Sequence, residues 1–97
     1  MANRQFKSAL VSRNIYVEGR RTSIRLEPAF WQLLSQVSLR ECVTLNEICT
    51  RISTRAFSHG LTGAIRVFLL AYAWSRSMER ALAAVPSGQL PEISLDR

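Results

Sequence analysis

Hydrophobic and polar residues alternate near the start of the chain, as they do in a half-buried β-strand. Residues 15–17 are good strand formers, Glu18-Gly19 can form a two-residue turn, and residues 20–26 alternate. The second arm separates two sets of side chains, one of Thr22, Ile24 and Leu26 and the opposite one of Arg21, Ser23 and Arg25. The pattern predicts a β-hairpin from Asn14 to Leu26, with one face toward a core and the other carrying hydrogen-bond donors.

Apolar residues then recur at helical spacing in two successive segments. Pro28 is tolerated in a first helical turn and predicts a helix from there to about Arg40. Thr44 and Glu47 form a capping box, in which Thr44 accepts from the N–H of Glu47 and Glu47 bonds back to Thr44, so a second helix is predicted from Leu45. The inward residues are Phe30, Leu33, Leu34 and Val37, with Trp31 on the flank, and then Leu45, Ile48, Cys49, Ile52 and Ala56.

A third helix is predicted from about Gly63 to Ala84, with Thr62 as its N-terminal cap. Its first three turns are apolar nearly all round, so it must be buried on several sides. A chain of this size offers limited cover, and a second copy would provide the rest. Residues 1–13 are expected to form a flexible basic arm and residues 86–97 a flexible tail, which leaves one domain over residues 14–85.

The charge of the chain points to a polyanionic partner. Its 97 residues include 13 Lys and Arg against 7 Asp and Glu, for a net charge of +6. Residues 1–26 hold six basic side chains and one acidic one, so most of this charge lies at the N-terminal end.

The residue types exclude several classes of protein. Two cysteines and one histidine predict no metal site. There is no phosphate-binding glycine loop, no nucleophile with an identifiable base and no carboxylate pair, so neither an enzyme nor a bound cofactor is expected. The longest apolar run, Ala64 to Trp74, is shorter than the ~18–20 residues that span a bilayer, and the N-terminal residues lack the apolar stretch of a signal sequence. We expect a soluble, cytoplasmic protein with no membrane partner.

Three segments carry a family resemblance that covers roughly residues 14–74: Arg21-Thr22-Ser23-Ile24-Arg25-Leu26-Glu27-Pro28-Ala29-Phe30-Trp31, Thr44-Leu45-Asn46-Glu47-Ile48 and Leu61-Thr62-Gly63-Ala64-Ile65-Arg66-Val67-Phe68. They resemble a family of small, uncharacterised bacterial proteins with a ribbon-helix-helix domain. The resemblance implies a mostly α-helical fold with a short β-ribbon, and a homodimer with an additional C-terminal helix in each chain. As in Arc-type repressors and the methionine repressor, two chains would pair their strands and share one core.

The resemblance also implies the site residues. The outward residues Arg21, Ser23 and Arg25 would contact DNA bases in the major groove. Phosphate contacts would come from the start of the second helix, at Thr44, Leu45 and Asn46. The resemblance says little about the arm, but the charge of Arg20, Arg4, Lys7 and Arg13 also predicts phosphate contacts, with a solubilising arm as the alternative for the last three. The shared dimer core would contain Thr22, Ile24, Leu26, Phe30, Leu34, Ile48, Ile52 and Phe68.

Some alternatives remain open at the level of sequence. Cys42 stands where the family commonly has glycine, which affects the turn between the first two helices. Residues 15–17 could pair with the strand that carries Arg21, Ser23 and Arg25, which would widen the ribbon that contacts DNA. Arg66 is expected to pair with Glu27 or Glu41, or to reach solvent, with an effector anion as a further alternative.

The resulting hypothesis is a homodimeric, sequence-specific binder of double-stranded DNA, a bacterial transcriptional repressor that can assemble into higher oligomers. The alternative is an antitoxin or adaptor that uses the same dimer but acts through a partner protein bound at residues 75–97.

Overall fold

The computed structural model describes residues 9–56 and 60–92, which form a two-stranded antiparallel sheet followed by helices. The elements are β1 (Val11–Val17), β2 (Arg20–Leu26), α1 (Pro28–Glu41), α2 (Leu45–Ala56), α3 (Leu61–Ser75) and α4 (Met78–Ala84). The predicted fold class, mostly helical with a short β-ribbon and additional C-terminal helical structure, is confirmed. Arg4, Lys7 and His59 lie outside the described residues.

The hairpin forms around the turn that the sequence predicts. Glu18 and Gly19 have φ values of 53° and 80°, the left-handed pair that a type I′ turn requires. The strands pair from Val17 opposite Arg20 to Val11 opposite Leu26. β1 therefore begins three residues before the predicted Asn14, and the expectation that residues 11–13 belong to a flexible arm was wrong.

The first two helices begin where predicted. The capping interaction of α2 is confirmed in one direction, because the N–H of Glu47 donates to Oγ1 of Thr44 at 3.1 Å. The reverse bond was wrong: the Glu47 carboxylate instead accepts from Nε of Arg51 at 2.9 Å, one helical turn on. Between the helices Cys42 adopts φ 56°, the left-handed conformation in which helices commonly end and which is usually taken by glycine.

The prediction of a single third helix capped by Thr62 was wrong at both points. The N-cap of α3 is Gly60, and its last residue is Ser75. Arg76 then turns the chain with φ 58°, and Oγ of Ser77 accepts from the N–H of Arg80 at 3.1 Å to begin α4. The break folds α4 back against α3, so the same chain supplies part of the cover that α3 needs.

A single chain buries most of the predicted dimer core. Trp31, expected on the flank of α1, is also buried, whereas Phe30, Leu33 and Thr22 are half-buried. The fully or almost fully buried members of the predicted set are Ile24, Leu26, Leu34, Ile48, Ile52 and Phe68. These side chains are covered without a second copy, and their role in a dimer remains a prediction.

Arg66 forms one of the ion pairs that the sequence suggested. Its Nη2 lies 2.9 Å from Oε1 of Glu27, and its guanidinium lies 5.7 Å from the centre of the Phe30 ring. The hydrogen bond from Arg66 lowers the pKa of Glu27. The other candidate partner, Glu41, instead accepts from the Tyr72 hydroxyl at 2.6 Å. The ion pair of Arg66 with Glu27 thus joins α3 to the start of α1.

Within the described residues no single helix is long and apolar enough to cross a membrane, and only the bent pair of α2 and α3 passes that test of length and composition together.

Candidate nucleic-acid interface

The hairpin has one buried face and one exposed face, because side chains alternate along both strands. The buried face carries Ile15 and Val17 of β1 and Ile24 and Leu26 of β2, all at most 7% exposed. The opposite side, called the outer face below, consists of six exposed side chains: Ser12, Asn14 and Tyr16 of β1 and Arg21, Ser23 and Arg25 of β2. The predicted base-contacting residues therefore share a surface with three residues that were not predicted.

The pairing register fixes the layout of the outer face. Its opposed pairs are Ser12 with Arg25, Asn14 with Ser23, and Tyr16 with Arg21. The two-residue turn makes Val17 and Arg20 a hydrogen-bonded pair, and such pairs alternate along the hairpin with non-hydrogen-bonded ones. The three pairs of the outer face are of the second kind, in which the opposed Cα atoms lie closer together. The hydroxyl oxygens of Ser12 and Ser23 lie 3.4 Å apart. The result is a polar strip with a guanidinium at each end of β2.

The side chains of this strip suit the edges of DNA bases. In the part of the chain that the structure describes, the Asn14 amide and the guanidiniums of Arg21 and Arg25 have no hydrogen-bond or ion-pair partner. Arginine can donate twice to guanine O6 and N7, asparagine can bond adenine N6 and N7, and serine can donate or accept. The arrangement can therefore distinguish base pairs by hydrogen bonding.

The residues that the sequence reasoning missed lie on β1. The signal for them was present, since residues 12, 14 and 16 alternate with Ile15 and Val17 in the same manner as the residues of β2 alternate. Ser12 was assigned to the flexible arm, and Asn14 and Tyr16 lay in the predicted hairpin, but the two faces of its first strand were not separated. Extending the alternation back to Val11 recovers all three.

The two edges of the hairpin differ. On the β1 side, the N–H of Tyr16 donates to Oδ1 of Asn46 at 2.9 Å and the N–H of Glu18 donates to Oγ1 of Thr50 at 3.0 Å. Helix α2 therefore runs along β1 and occupies its edge. On the β2 side, the outward backbone groups of residues 21, 23 and 25 find no partner among the described residues.

A phosphate contact was predicted at the start of α2, which lies next to β1. Thr44 and Asn46 are exposed and Leu45 is half-buried. The N–H of Glu47 is already bonded to Thr44, and the backbone N–H groups of Leu45 and Asn46 have no partner among the described residues. Free N–H groups and the helix dipole both favour an anion here. The Asn46 side-chain oxygen, however, is engaged by β1.

The other predicted phosphate contacts are not grouped together. Arg20 is exposed at the start of β2, beside the turn. Arg13 lies in β1 opposite Ile24, and its guanidinium sits 5.2 Å from the centre of the Trp31 ring rather than on the outer face. The Trp31 indole donates to the Val11 carbonyl at 2.8 Å, which fixes the ring under this end of the strand.

Comparison with protein families gives one match. The model of the ribbon-helix-helix domain matches residues 10–73, from the residue before β1 into the last turn of α3. Searches of curated proteins and of solved structures found no match. The matched segment contains the whole outer face and the start of α2.

Proposed function

The chain belongs to the ribbon-helix-helix domain family, whose members are generally DNA-binding transcription regulators or antitoxins, and from this membership we propose that it is a sequence-specific double-stranded DNA-binding protein that represses transcription. The observation that carries the proposal is the outer face, a polar strip with free arginine and amide groups on a β-ribbon. A two-stranded ribbon of this kind fits the major groove.

In this mechanism the outer face enters the major groove, while the start of α2 binds the sugar–phosphate backbone of the DNA. Arg21, Ser23 and Arg25 contact base edges. A phosphate is held by the free N–H groups at the start of α2. Two copies bind the halves of a palindrome as a homodimer, and occupation of a promoter blocks transcription. Affinity for the cognate site is expected in the usual range of ~10⁻⁸ to 10⁻¹¹ M, and it falls steeply as salt rises.

Selection from a randomised duplex library at physiological salt tests this proposal. The wild-type chain is expected to enrich a palindrome, and the triple variant Arg21→Ala, Ser23→Ala, Arg25→Ala is expected to enrich none. The control is Arg80→Ala, which removes an exposed arginine from α4 and should enrich the same palindrome. Loss of Lys7 should weaken binding to all sequences alike. Weak, salt-sensitive binding of wild type without enrichment contradicts the proposal.

A second candidate function rests on the C-terminal part of the chain. Leu70 and Trp74 on α3 are 57% and 53% exposed, and the Trp74 indole donates to the Pro91 carbonyl at 3.1 Å. The C-terminal segment thus lies beside exposed apolar side chains, as an antitoxin or adaptor acting through a protein partner would require. Deleting residues 86–97 separates the two functions: this candidate predicts unchanged DNA binding together with loss of a co-purifying partner.

A further inference from the structure

The hairpin joins, within one chain, two strands that each carry exposed polar side chains. We infer that β1 reads DNA alongside β2, so that Asn14 and Tyr16 are specificity-determining residues. The inference rests on the proposed function and deepens it, since it states which residues choose the base sequence.

The first support is the common plane of the two strands. Asn14 and Tyr16 stand directly opposite Ser23 and Arg21 in closely spaced pairs. Side chains opposed in this way have Cβ atoms about 4.5–5.5 Å apart, so a base edge within reach of one partner lies near the other. A groove that receives the side chains of β2 also receives those of β1.

The second support is the position of α2. The bonds from Tyr16 and Glu18 to Asn46 and Thr50 place this helix against β1 and not against β2. A phosphate held at the start of α2 therefore lies on the β1 side of the ribbon. When the DNA backbone is held at that point, β1 lies between the bound phosphate and β2, and so lies within the major groove.

The chemistry of β1 fits this role. Asn14 is exposed, and its amide has no partner in the described part of the chain. Asparagine is suited to adenine, to which it can bond twice. Tyr16 is 51% exposed and offers a ring and a hydroxyl beside Arg21. Neither side chain is needed for the core, because both point away from Ile15 and Val17.

The test compares base preferences of single variants on the duplex enriched by wild type and on all its single-base-pair replacements. Asn14→Ala and Tyr16→Ala are the β1 variants, Ser23→Ala and Arg25→Ala are the matched β2 variants, and Gln36→Ala, which removes an exposed amide from α1, is the control. Thermal unfolding verifies that each variant folds as wild type does. Asn14→Ala is expected to lose about 5- to 150-fold discrimination at one base pair, beyond any change produced by Gln36→Ala.

Two outcomes overturn the inference and leave the proposed function standing. In one, the β2 variants relax specificity while Asn14→Ala and Tyr16→Ala keep wild-type preference and affinity. In the other, the β1 variants weaken all duplexes equally, which places β1 against the sugar–phosphate walls. If Ser23→Ala and Arg25→Ala also leave every preference unchanged, the proposed function fails together with the inference.

Discussion

The two faces of the hairpin are made from the same fourteen strand residues yet serve opposite purposes. The buried face is closed by α1, α2 and α3 and carries no charged side chain among its buried residues. The outer face keeps its arginine and asparagine groups free of partners within the described chain, and its two serine hydroxyls bond to each other. Because side chains alternate along the two paired strands, packing of the apolar face positions the polar one. Changes on the first face should therefore alter stability, and changes on the second should alter binding.

The largest effect is expected from Leu26→Ala on the buried face. Leu26 is 0% exposed, so truncation leaves a cavity and should lower the free energy of unfolding by about 2–5 kcal/mol. Urea denaturation measures the loss. Its neighbour Arg25 provides the control, since Arg25→Ala should change stability by no more than about 0.5 kcal/mol. Equal losses for the two variants would mean that the faces are not distinct.

Next in size is the effect of Arg25→Ala on binding. Loss of the guanidinium should cost about 1–3 kcal/mol and relax the preference at one base pair. Fluorescence anisotropy with the cognate duplex and with its single-base replacements gives both quantities. Arg80→Ala, with the same change of charge on α4, should leave the base preference intact. Identical losses on cognate and random DNA for both variants would rule out base reading by Arg25.

A smaller effect is expected at the turn that joins the strands. Gly19 has φ 80°, and a Cβ there would meet nothing within 4 Å, so Gly19→Ala is opposed by backbone strain alone. The left-handed conformation should reduce stability by about 1–2 kcal/mol. Thermal or urea unfolding checks this value. Gly63→Ala is the matched control, because Gly63 lies in α3 without positive φ and its replacement should not destabilise.

The dependence of stability on pH tests the burial of Cys49. Burial raises the pKa of the Cys49 thiol from its ordinary 9.0 to about 12. The folded state therefore keeps a proton that the unfolded state loses, and stability should fall by up to about 1.4 kcal/mol per pH unit as pH rises from about 9 toward 12. The difference between wild type and Cys49→Ala isolates this contribution, because Tyr72 titrates in both.

Alkylation gives an independent comparison of the same thiols. Cys42 is exposed and Cys49 is buried. We expect iodoacetamide to modify Cys42 in the native protein and Cys49 only under denaturing conditions. Mass spectrometry of the labelled peptides identifies the sites. Rapid native labelling of Cys49 would show that the core beneath the hairpin opens readily.

Much of the fold could be predicted because local signals agreed with the tertiary structure. Glu18-Gly19 specified the turn, Pro28 the start of α1, and Thr44 the cap of α2. The break at Arg76 was missed because neither glycine nor proline stands there, although Ser77 followed by Glu79 carries the signature of a new helix start.

The candidate site was predicted only in part. Arg21, Ser23 and Arg25 were identified from alternation and from the family resemblance, and the structure places all three on the exposed side of β2. Ser12, Asn14 and Tyr16 were missed, because only the second arm of the hairpin was divided into two faces, although the alternation of residues 12–17 carries the same signal. Which residues of β2 they oppose depends on the pairing register, which joins residues up to fifteen apart and which no local pattern specifies.

The most direct test of DNA reading by the outer face is an amide chemical-shift titration of the folded chain with the duplex selected from the random library. We predict the largest shifts at Ser12, Asn14, Tyr16, Arg21, Ser23 and Arg25, with a second group at the N–H groups of Leu45 and Asn46. Shifts concentrated on α3 and α4, with the hairpin unchanged, would contradict DNA reading by this face.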